Sequence, residues 1–206
     1  RPVCIQRETS FGEMRSAACS LSLNSSIEAV VVAPTSLSLS ALAEAYASGA
    51  CTPLSVIDAI YAQLAAHPQP ALFITLVSHA GARDAARAVM ERKALGEELP
   101  LYGIPFGVKD NIDVEGLDTT AACPAYAYRP ARSAFVVERL IRDGAIVFGK
   151  TNLDQFATGL VGVRSPYGVP ANPFDAERVP GGSSSGSAVA VALGLCSFAL
   201  GTDTAG

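Results

Sequence analysis

Short apolar segments alternate with helix-like segments along most of this chain, and this alternation restricts the folds that it can adopt. Three of the apolar segments predict strands: "LYGIPFGVKDN" (101–111), "AIVFGKTN" (145–152) and "LCSFALGTD" (195–203). Strands that alternate with helices form a largely parallel sheet with helices on both faces. Each of these strands runs into polar residues, at the carboxyl edge where α/β sheets bind ligands. The sequence therefore predicts an α/β fold with a functional site at that edge.

Capping and turn residues delimit the remaining elements. A helix over 38–49 is expected to end at Gly49, and a second helix begins after Thr52 with Pro53 in its first turn. The segment "ALFITLV" (71–77) predicts a further strand, and "SHAGARDAARAVMERKALG" (78–96) predicts a charged helix. Three more helices are predicted: a capped helix over 133–144, a short helix over 153–159 and a helix of small apolar residues over 187–194.

Composition excludes several classes of function. Half of the 206 residues are apolar and the net charge is −4, which argues against a nucleic-acid partner because such proteins present a basic face. No apolar stretch approaches the roughly 18–20 residues that span a bilayer, and the N-terminus lacks a signal-peptide pattern, so we expect no membrane association. The five cysteines form no CxxC pair and no spacing with histidine that would hold zinc. We therefore expect reduced thiols, a cytoplasmic location, and neither a metal nor a cofactor.

A cluster of serines and glycines, "PGGSSSGS" (180–187), leads directly into the helix of small apolar residues. A linker would separate domains, so we interpret the cluster as a helix N-terminus with free hydroxyls and backbone amides. The segment "GAIVFGKT" (144–151) formally fits the pattern of a phosphate-binding loop, but its four central residues, "AIVF", predict a buried strand. A nucleotide site is therefore disfavoured, and serine hydrolysis remains.

Serine hydrolysis needs a base, and this chain offers lysine in place of histidine. Ser184 fits the GxSxG elbow of α/β-hydrolases, but that fold places its acid and its histidine after the serine, whereas both histidines of this chain precede it. Lysine is the other common base. Lys109 follows an apolar strand and is the first candidate, Lys150 has a similar setting, and Lys93 lies among charges on a helix. Desolvation at a strand end would lower the pKa of Lys109 toward a usable value.

Three longer motifs resemble the amidase signature family of Ser–Ser–Lys hydrolases. They are "LYGIPFGVKDNIDVEGLDTTAACPAY" (101–126), "GAIVFGKTNLDQFATG" (144–159) and "VPGGSSSGSAVAVALGLCSFALGTDTAG" (179–206). Members of this family fold as a mixed sheet between layers of helices, so the resemblance implies a mixed, largely parallel twisted sheet. It also implies that residues 36–206 are the N-terminal part of a single amidase domain, incomplete at the C-terminus. Residues 1–35, rich in serine and alanine, are expected to form a poorly ordered tail.

The resemblance assigns roles to the lysine and serine motifs. Lys109 matches the family's base, and Ser183 matches its bridging serine, which relatives hold through a cis peptide. A neutral Lys109 would take a proton from Ser183, which takes one from the nucleophilic serine. In the family the nucleophile is the fourth residue after the aspartate that corresponds to Asp203, so it falls one position beyond Gly206. We therefore expect residues 1–206 alone to be inactive.

The same resemblance supplies the residues around the base and the bridging serine. The backbone amides of Thr204, Ala205 and Gly206 correspond to oxyanion-hole donors, each worth roughly 2.7–4 kcal/mol in other hydrolases. Supporting positions are Ser184, Ser185, Thr202 and Asp203, with helix capping as the alternative role of the two serines. Two substrate-binding candidates are Ala157, in a segment that lines the pocket of relatives, and Arg164, a cation for a substrate carboxylate. Helix packing and a solvated loop are the respective alternatives.

Departures from the commonest family pattern indicate the substrate. The chain has "SSSGS" where "SSGGS" is usual, and "TAG" where "TGG" is usual. Two further variants are "LDQFATGLVGVRSPYG" (153–168) and "GLDTTAACP" (116–124). These variants most resemble the branch that cleaves the terminal amide of allophanate in ATP-dependent urea breakdown, with ammonia and carbon dioxide as final products. A general amidase or a glutamine-dependent amidotransferase subunit is the enzyme alternative, and an inactive remnant or binding module is the non-enzyme alternative. The expected partner is a small amide substrate, and a homodimer of the full-length protein is a further expectation, since relatives are often dimers.

Overall fold

A computed structural model of the chain describes residues 36–204. The tail predicted over 1–35 lies outside the described residues, and so do two of the expected oxyanion-hole positions, Ala205 and Gly206. Within 36–204 the chain forms two α-helices, then a strand, and then three α-helices that alternate with three further strands. The alternation predicted from the apolar segments is therefore confirmed.

The strands form one mixed sheet. They are β1 (Phe73–Leu76), β2 (Pro105–Lys109), β3 (Ile146–Thr151) and β4 (Phe198–Leu200), in the spatial order β1-β3-β2-β4. β2 is parallel to both β3 and β4, whereas β1 is antiparallel to β3. The prediction of a mixed, largely parallel sheet is confirmed. Its parallel part brings the carboxyl ends of β2, β3 and β4 to one edge.

Local capping signals set the ends of the first helices. The helices are α1 (Leu39–Ser48), α2 (Pro53–Ala66), α3 (His79–Ala94), α4 (Phe135–Arg142) and α5 (Ser185–Ala192). α1 ends at Gly49, whose φ of 72° is left-handed, as expected for a glycine after a helix. α2 begins with a reciprocal capping box between Thr52 and Ser55, with Pro53 in its first turn. Both boundaries were predicted correctly.

The helix predicted over 133–144 lacks the expected side-chain cap. Ala134 takes the N-cap position of α4 and supplies no side-chain hydrogen bond. Ser133 Oγ instead accepts a hydrogen bond from the Glu115 N–H at 2.8 Å, so this serine holds the loop that follows β2. The prediction of a capped helix was wrong because a tertiary contact uses the capping residue.

The prediction of a short helix over 153–159 is also wrong. This segment contains only a 3-10 turn, Gln155–Ala157, in which Phe156 has a left-handed φ of 51°. The Phe156 N–H donates to Ala121 O at 2.9 Å. The neighbouring loop thus holds this backbone in a conformation that cannot continue as a helix.

Helices cover both faces of the sheet, as predicted. Side chains from α1, α2, α3 and α5 pack on one face with Ile146 and Phe148 of β3. On the other face, Val137 of α4 packs with Phe106 and Val108 of β2. Each fully buried side chain of this size contributes about 1.5–3 kcal/mol. The two cores make the sheet a firm support for the polar residues at its carboxyl edge.

An irregular pairing of β2 with β3 decides the direction of the side chains at the strand ends. Successive pairs show one extra residue in β3: Phe106–Val147, then Gly107–Gly149 and Lys109–Thr151. Without this bulge, Lys109 would pair with Lys150. Because paired residues of neighbouring strands lie on the same face, the bulge places Lys109 and Lys150 on opposite faces of the sheet.

Candidate active site

Lys109 ends β2 at the carboxyl edge of the sheet and is fully buried. Its Nζ donates hydrogen bonds to Ser183 Oγ at 2.7 Å and to Thr202 Oγ1 at 2.8 Å, with a longer bond to Thr202 O at 3.3 Å. Ser183 lies just before α5, and Thr202 follows β4. The structure thus brings together the candidate base, the candidate bridging serine and one supporting residue from three separate segments.

Burial lowers the pKa of Lys109 below that of an ordinary lysine, because the charged amine loses its hydration. The negative charges of Asp154 and Asp203 act in the opposite direction and raise this pKa, by less than burial lowers it. The direct hydrogen bonds of the amine go to hydroxyl and carbonyl oxygens. In these surroundings Lys109 becomes neutral at a lower pH than a solvated lysine does, as a general base requires.

Residues 180–184, here called the serine loop, hold Ser183 against the lysine. The Gly182–Ser183 peptide bond is cis. Ser183 O accepts a hydrogen bond from the Asp154 N–H at 3.1 Å. Ser184 is the N-cap residue of α5 but makes no side-chain cap, and its Oγ donates to Thr202 O at 3.4 Å. The serine loop is therefore tied to the segments after β3 and β4.

The next two serines lie in the first turn of α5 and are buried. Ser187 Oγ lies 2.7 Å from Thr151 Oγ1 and donates to Leu200 O at 2.9 Å, so it joins α5 to β3 and β4. Ser185 Oγ makes no hydrogen bond within residues 36–204. In this part of the chain no hydrogen bond joins either serine to Lys109.

Lys150, the second candidate base, has a different environment. It is fully buried, and its Nζ lies 3.2 Å from Asp110 Oδ1. The amine also donates to Asp118 O at 3.0 Å and to Thr119 Oγ1 at 3.2 Å. Burial lowers the pKa of Lys150, and the charge of Asp110 counteracts this effect. Lys150 is thus an ion-paired lysine on the other face of the sheet, and the structure does not bring it to Ser183.

The remaining candidates for a base lie away from the serine loop. Lys93 is exposed near the end of α3. His67 follows the last residue of α2, and His79 begins α3 with its Nε2 2.6 Å from Asp58 Oδ1. Within residues 36–204, no hydrogen bond joins either histidine to Ser184. The geometry therefore gives no support to a nucleophile-elbow site.

A cavity of about 780 Å³ opens beside Ser183. Three segments supply nearly all of its lining, 156–160, 180–184 and 202–204. Ala157 belongs to this lining, and its O accepts a hydrogen bond from Thr204 Oγ1 at 3.1 Å. Asp203 lines the cavity as well. The cavity can hold a small amide, and it lies at the carboxyl edge where the sequence predicted a site.

Arg164, the candidate cation for a substrate carboxylate, does not line this cavity. Its side chain is exposed, and its Nη1 donates to Thr158 O at 3.2 Å. Its backbone N–H donates to Asp154 Oδ1 at 2.8 Å. In this structure Arg164 acts as a loop residue, which matches the alternative role considered from the sequence.

Two polar residues near the site were not singled out from the sequence. Asn111 Nδ2 donates to Thr202 Oγ1 at 3.1 Å, so Thr202 Oγ1 accepts from both this amide and Lys109. Asp154 is fully buried and contacts the backbone around Ser183. Both follow a strand, in "VKDN" and "KTNLD", and this position was the signal that could have identified them.

Among residues 36–204, the range that the structure describes, no group of three or more His, Cys, Asp or Glu residues is arranged to hold a metal ion. None of the helices in the same range is both long enough and apolar enough to cross a bilayer.

Comparisons with known proteins agree with the geometry. Urea amidolyase of Saccharomyces cerevisiae is 61% identical over 118 residues, which are 57% of this chain and 6% of that protein. A glutamyl-tRNA(Gln) amidotransferase subunit of Chloroflexus aggregans is 45% identical over 173 residues, 82% of this chain and 35% of that protein. A solved structure of Kluyveromyces lactis allophanate hydrolase has a TM-score of 0.71 at 45% identity and covers 82% of this chain and 28% of that one. The chain thus spans only a small part of each of these longer proteins.

The family described as Amidase matches residues 55–206. This range contains both buried lysines, the serine loop and the cavity-lining segments. The match covers well over half of the chain, and it includes the motifs that the sequence shares with Ser–Ser–Lys hydrolases. The chain belongs to the amidase signature family.

Proposed function

We propose that this site hydrolyses amides by serine chemistry, with Lys109 as the base and Ser183 as the bridging serine. The observation that carries the proposal is the 2.7 Å hydrogen bond between Lys109 Nζ and Ser183 Oγ, in a buried position beside a cavity. A serine hydroxyl needs a neighbouring base to lose its proton, and the neighbour of Ser183 is a lysine. The lowered pKa of Lys109 supports the same role, because only the neutral amine accepts a proton.

Proton transfer in this proposal runs through two side chains. As the nucleophilic hydroxyl attacks the amide carbonyl, it gives its proton to Ser183 Oγ, while Ser183 gives its own proton to neutral Lys109 Nζ. The resulting ammonium returns a proton through Ser183 to the leaving nitrogen, which departs as ammonia. Water then attacks the acyl-enzyme through the same relay and restores the free serine. Thr202 Oγ1 accepts a hydrogen bond from Lys109 and orients the amine for both transfers.

The nucleophile in this proposal is a serine directly after Gly206, as the family resemblance implies. The backbone amides of Thr204, Ala205 and Gly206 would stabilise the oxyanion that forms on its attack. Thr204 lines the cavity and is anchored through its hydroxyl to Ala157 O, which supports placing this segment beside the substrate. Turnover is therefore expected in a chain that continues past Gly206 with serine at the next position.

The substrate that we propose is allophanate. Cleavage of its terminal amide would release ammonia, and breakdown of the remaining product would give carbon dioxide and more ammonia. Similarity to urea amidolyases at 61% and 54% identity supports this choice, as does the structural likeness to an allophanate hydrolase. Variant motifs of the sequence, "SSSGS" and "FATG", also supply residues to the lining of the cavity.

Ammonia release tests both the chemistry and the substrate. A chain extended past Gly206 is assayed at equal concentrations of allophanate, a glutamine-bearing substrate and a simple neutral amide. We expect the fastest release from allophanate. The control is the same chain with alanine in place of the serine after Gly206, which should release none. Efficient release from either other amide, with none from allophanate, contradicts the proposed substrate but retains the hydrolytic mechanism.

A glutamine-dependent amidotransferase subunit is the second candidate. Its supporting observation is that such a subunit is 45% identical over 82% of this chain, the same identity and coverage as the allophanate hydrolase structure. The relay of Lys109 and Ser183 would then release ammonia from glutamine. Preference for the glutamine-bearing substrate in the same assay would favour this candidate.

We also propose a cytoplasmic location and a homodimer of the full-length protein. Cys51, Cys123 and Cys196 are free thiols in the structure, which suits a reducing compartment. A thiol count on protein isolated without reductant tests the first proposal, and light scattering coupled to size-exclusion chromatography tests the second.

A further inference from the structure

Asp154 lies between the end of β3 and the candidate active site, and its side chain is fully buried. Its two carboxylate oxygens accept backbone hydrogen bonds, Oδ2 from the Gly162 N–H at 3.0 Å and Oδ1 from the Arg164 N–H at 2.8 Å. Its own N–H donates to Ser183 O at 3.1 Å. One residue thus connects the strand end, the cavity rim at 158–164 (the rim loop) and the serine loop.

The glycines around Asp154 show how closely the two loops pack on its carboxylate. A Cβ added to Gly159 would lie 2.3 Å from Asp154 Oδ2, and one added to Gly182 would lie 2.4 Å from the same atom. Both distances are far shorter than van der Waals contact. The carboxylate therefore sits wedged between the rim loop and the residue that precedes Ser183.

Several charged groups meet at this edge of the sheet. Asp110 follows β2, Lys150 belongs to β3, Asp154 follows β3, and Asp203 follows β4. Lys150 and Asp110 neutralise one another as an ion pair at 3.2 Å. Asp154 and Asp203 are the carboxylates whose negative charge acts on Lys109. Since Asp154 is buried, solvent screens its charge much less than it screens an exposed one.

We propose that Asp154 is a positioning residue of this site: its backbone N–H fixes Ser183, its carboxylate fixes the rim loop, and its buried charge acts on Lys109. The assignment rests on the proposed function in so far as Lys109 and Ser183 are the reacting groups. The contacts and the charge do not depend on that function, so they can be tested separately.

Asp154→Asn separates the charge of this residue from its backbone contact. The asparagine keeps the N–H that holds Ser183 O, but it is neutral and can accept at only one of its two terminal atoms. Removing the negative charge makes protonation of Lys109 less favourable, so the midpoint of its titration should move to lower pH. The direction of this shift follows from the sign of the charge that is removed.

The sequence makes this titration easy to observe, because Lys93, Lys109 and Lys150 are the three lysines of the chain. Residues 1–206 with ¹³C-labelled lysine side chains give three sets of Cε signals, assigned with Lys93→Arg and Lys109→Met proteins. In Asp154→Asn we expect the Lys109 midpoint to move to lower pH. Asp175→Asn, which removes a carboxylate bonded to Arg178, should leave the midpoint where it is. An unmoved Lys109 midpoint in folded Asp154→Asn overturns the proposal.

Hydrogen exchange of the unmodified chain covers the case in which Asp154→Asn does not fold. The Gly162 and Arg164 amides should exchange slowly, because both donate to the buried carboxylate. Exchange as fast as in an unstructured peptide at both amides overturns the proposal.

Kinetics in a chain extended past Gly206 add a readout that a purely structural role would not change. Asp154→Asn should lower kcat more than it changes KM, and the acid limb of kcat/KM should move to lower pH by the NMR shift. A loss of activity with an unmoved acid limb contradicts the action on Lys109. An NMR shift in a chain that hydrolyses no amide supports the role of Asp154 and counts against the proposed function alone.

Discussion

The two buried lysines at the edge of the sheet bind different partners, although they occupy similar settings in the sequence. Lys109 ends β2, Lys150 lies one residue before the end of β3, and both are fully buried. Lys109 donates to the hydroxyls of Ser183 and Thr202, whereas Lys150 pairs with the carboxylate of Asp110. Burial lowers the pKa of each lysine, so burial alone does not distinguish them. The direct partners therefore distinguish Lys109, the candidate base, from Lys150, which belongs to an ion pair.

The bulge in β3 is the reason that these partners differ. It moves the pairing of Lys109 from Lys150 to Thr151. Lys109 therefore points to the face that carries α5 and the serine loop, and Lys150 points toward Asp110, Asp118 and Thr119. Two lysines side by side on one face would repel each other and would compete for the same carboxylate. One inserted residue thus separates the lysine that contacts Ser183 from the lysine that pairs with Asp110.

Lys109→Ala should give the largest effect and tests the chemical half of this comparison. In a chain extended past Gly206, we expect kcat/KM to fall at least about 10³-fold, because the relay loses its base. The measurement is ammonia release, with circular dichroism to confirm folding. The matched control is Lys93→Ala on the exposed surface of α3, which should stay within about twofold of the parent. Activity of Lys109→Ala within about tenfold of the parent would show that the Ser–Ser–Lys assignment is wrong.

Lys150→Met tests the structural half, through the free energy of unfolding. Removing one partner of a buried ion pair leaves the other charge unpaired and costs about 3–5 kcal/mol. Lys109→Met should cost less, about 1–3 kcal/mol, because its partners are neutral hydroxyls and Thr202 Oγ1 keeps its bond from Asn111. Urea unfolding of residues 1–206 measures both.

A double variant controls for the loss of the amine itself. Asp110→Asn combined with Lys150→Met removes both charges, so it should recover much of the stability that Lys150→Met loses. Equal destabilisation by Lys109→Met and Lys150→Met, without recovery in the double variant, would mean that the ion pair is not what distinguishes the two sites.

Local signals were enough to predict most of the frame. Gly49, Thr52 and Pro53 act within one helical turn, so their effect can be read from the sequence without knowledge of the fold. The alternation of strands and helices likewise implied the parallel part of the sheet. One helix cap and one short helix were predicted incorrectly, and both errors arose where a loop contact outcompeted a local preference, at Ser133 and at Phe156.

The residue types of the candidate site and the contact between Lys109 and Ser183 were predictable, whereas the bulge in β3 and the bonds of Asp154 were not. A serine cluster without a following histidine already pointed to lysine as the base, and the family resemblance favoured Lys109. The bulge depends on how β3 pairs with β2, and no local pattern predicts it. The bonds of Asp154 reach residues 8 and 10 positions away in a loop that has no regular structure. Those contacts depend on tertiary packing, so the sequence alone could not reveal them.

The smallest effect that we expect concerns how stability depends on pH. Burial lowers the pKa of Lys109 in the folded chain below the ordinary value of 10.5. Between the folded value and 10.5 the unfolded chain binds a proton that the folded chain does not, so the free energy of unfolding rises with pH and falls as the pH drops through this window. Lys109→Met removes this contribution and should reduce the slope by at most about 1.4 kcal/mol per pH unit. Urea unfolding at a series of pH values below 10.5 measures the slope, with Lys93→Met at an exposed position as the matched variant. An unchanged slope in Lys109→Met would mean that Lys109 holds its proton equally in both states, and its distinction from a solvated lysine would then be lost.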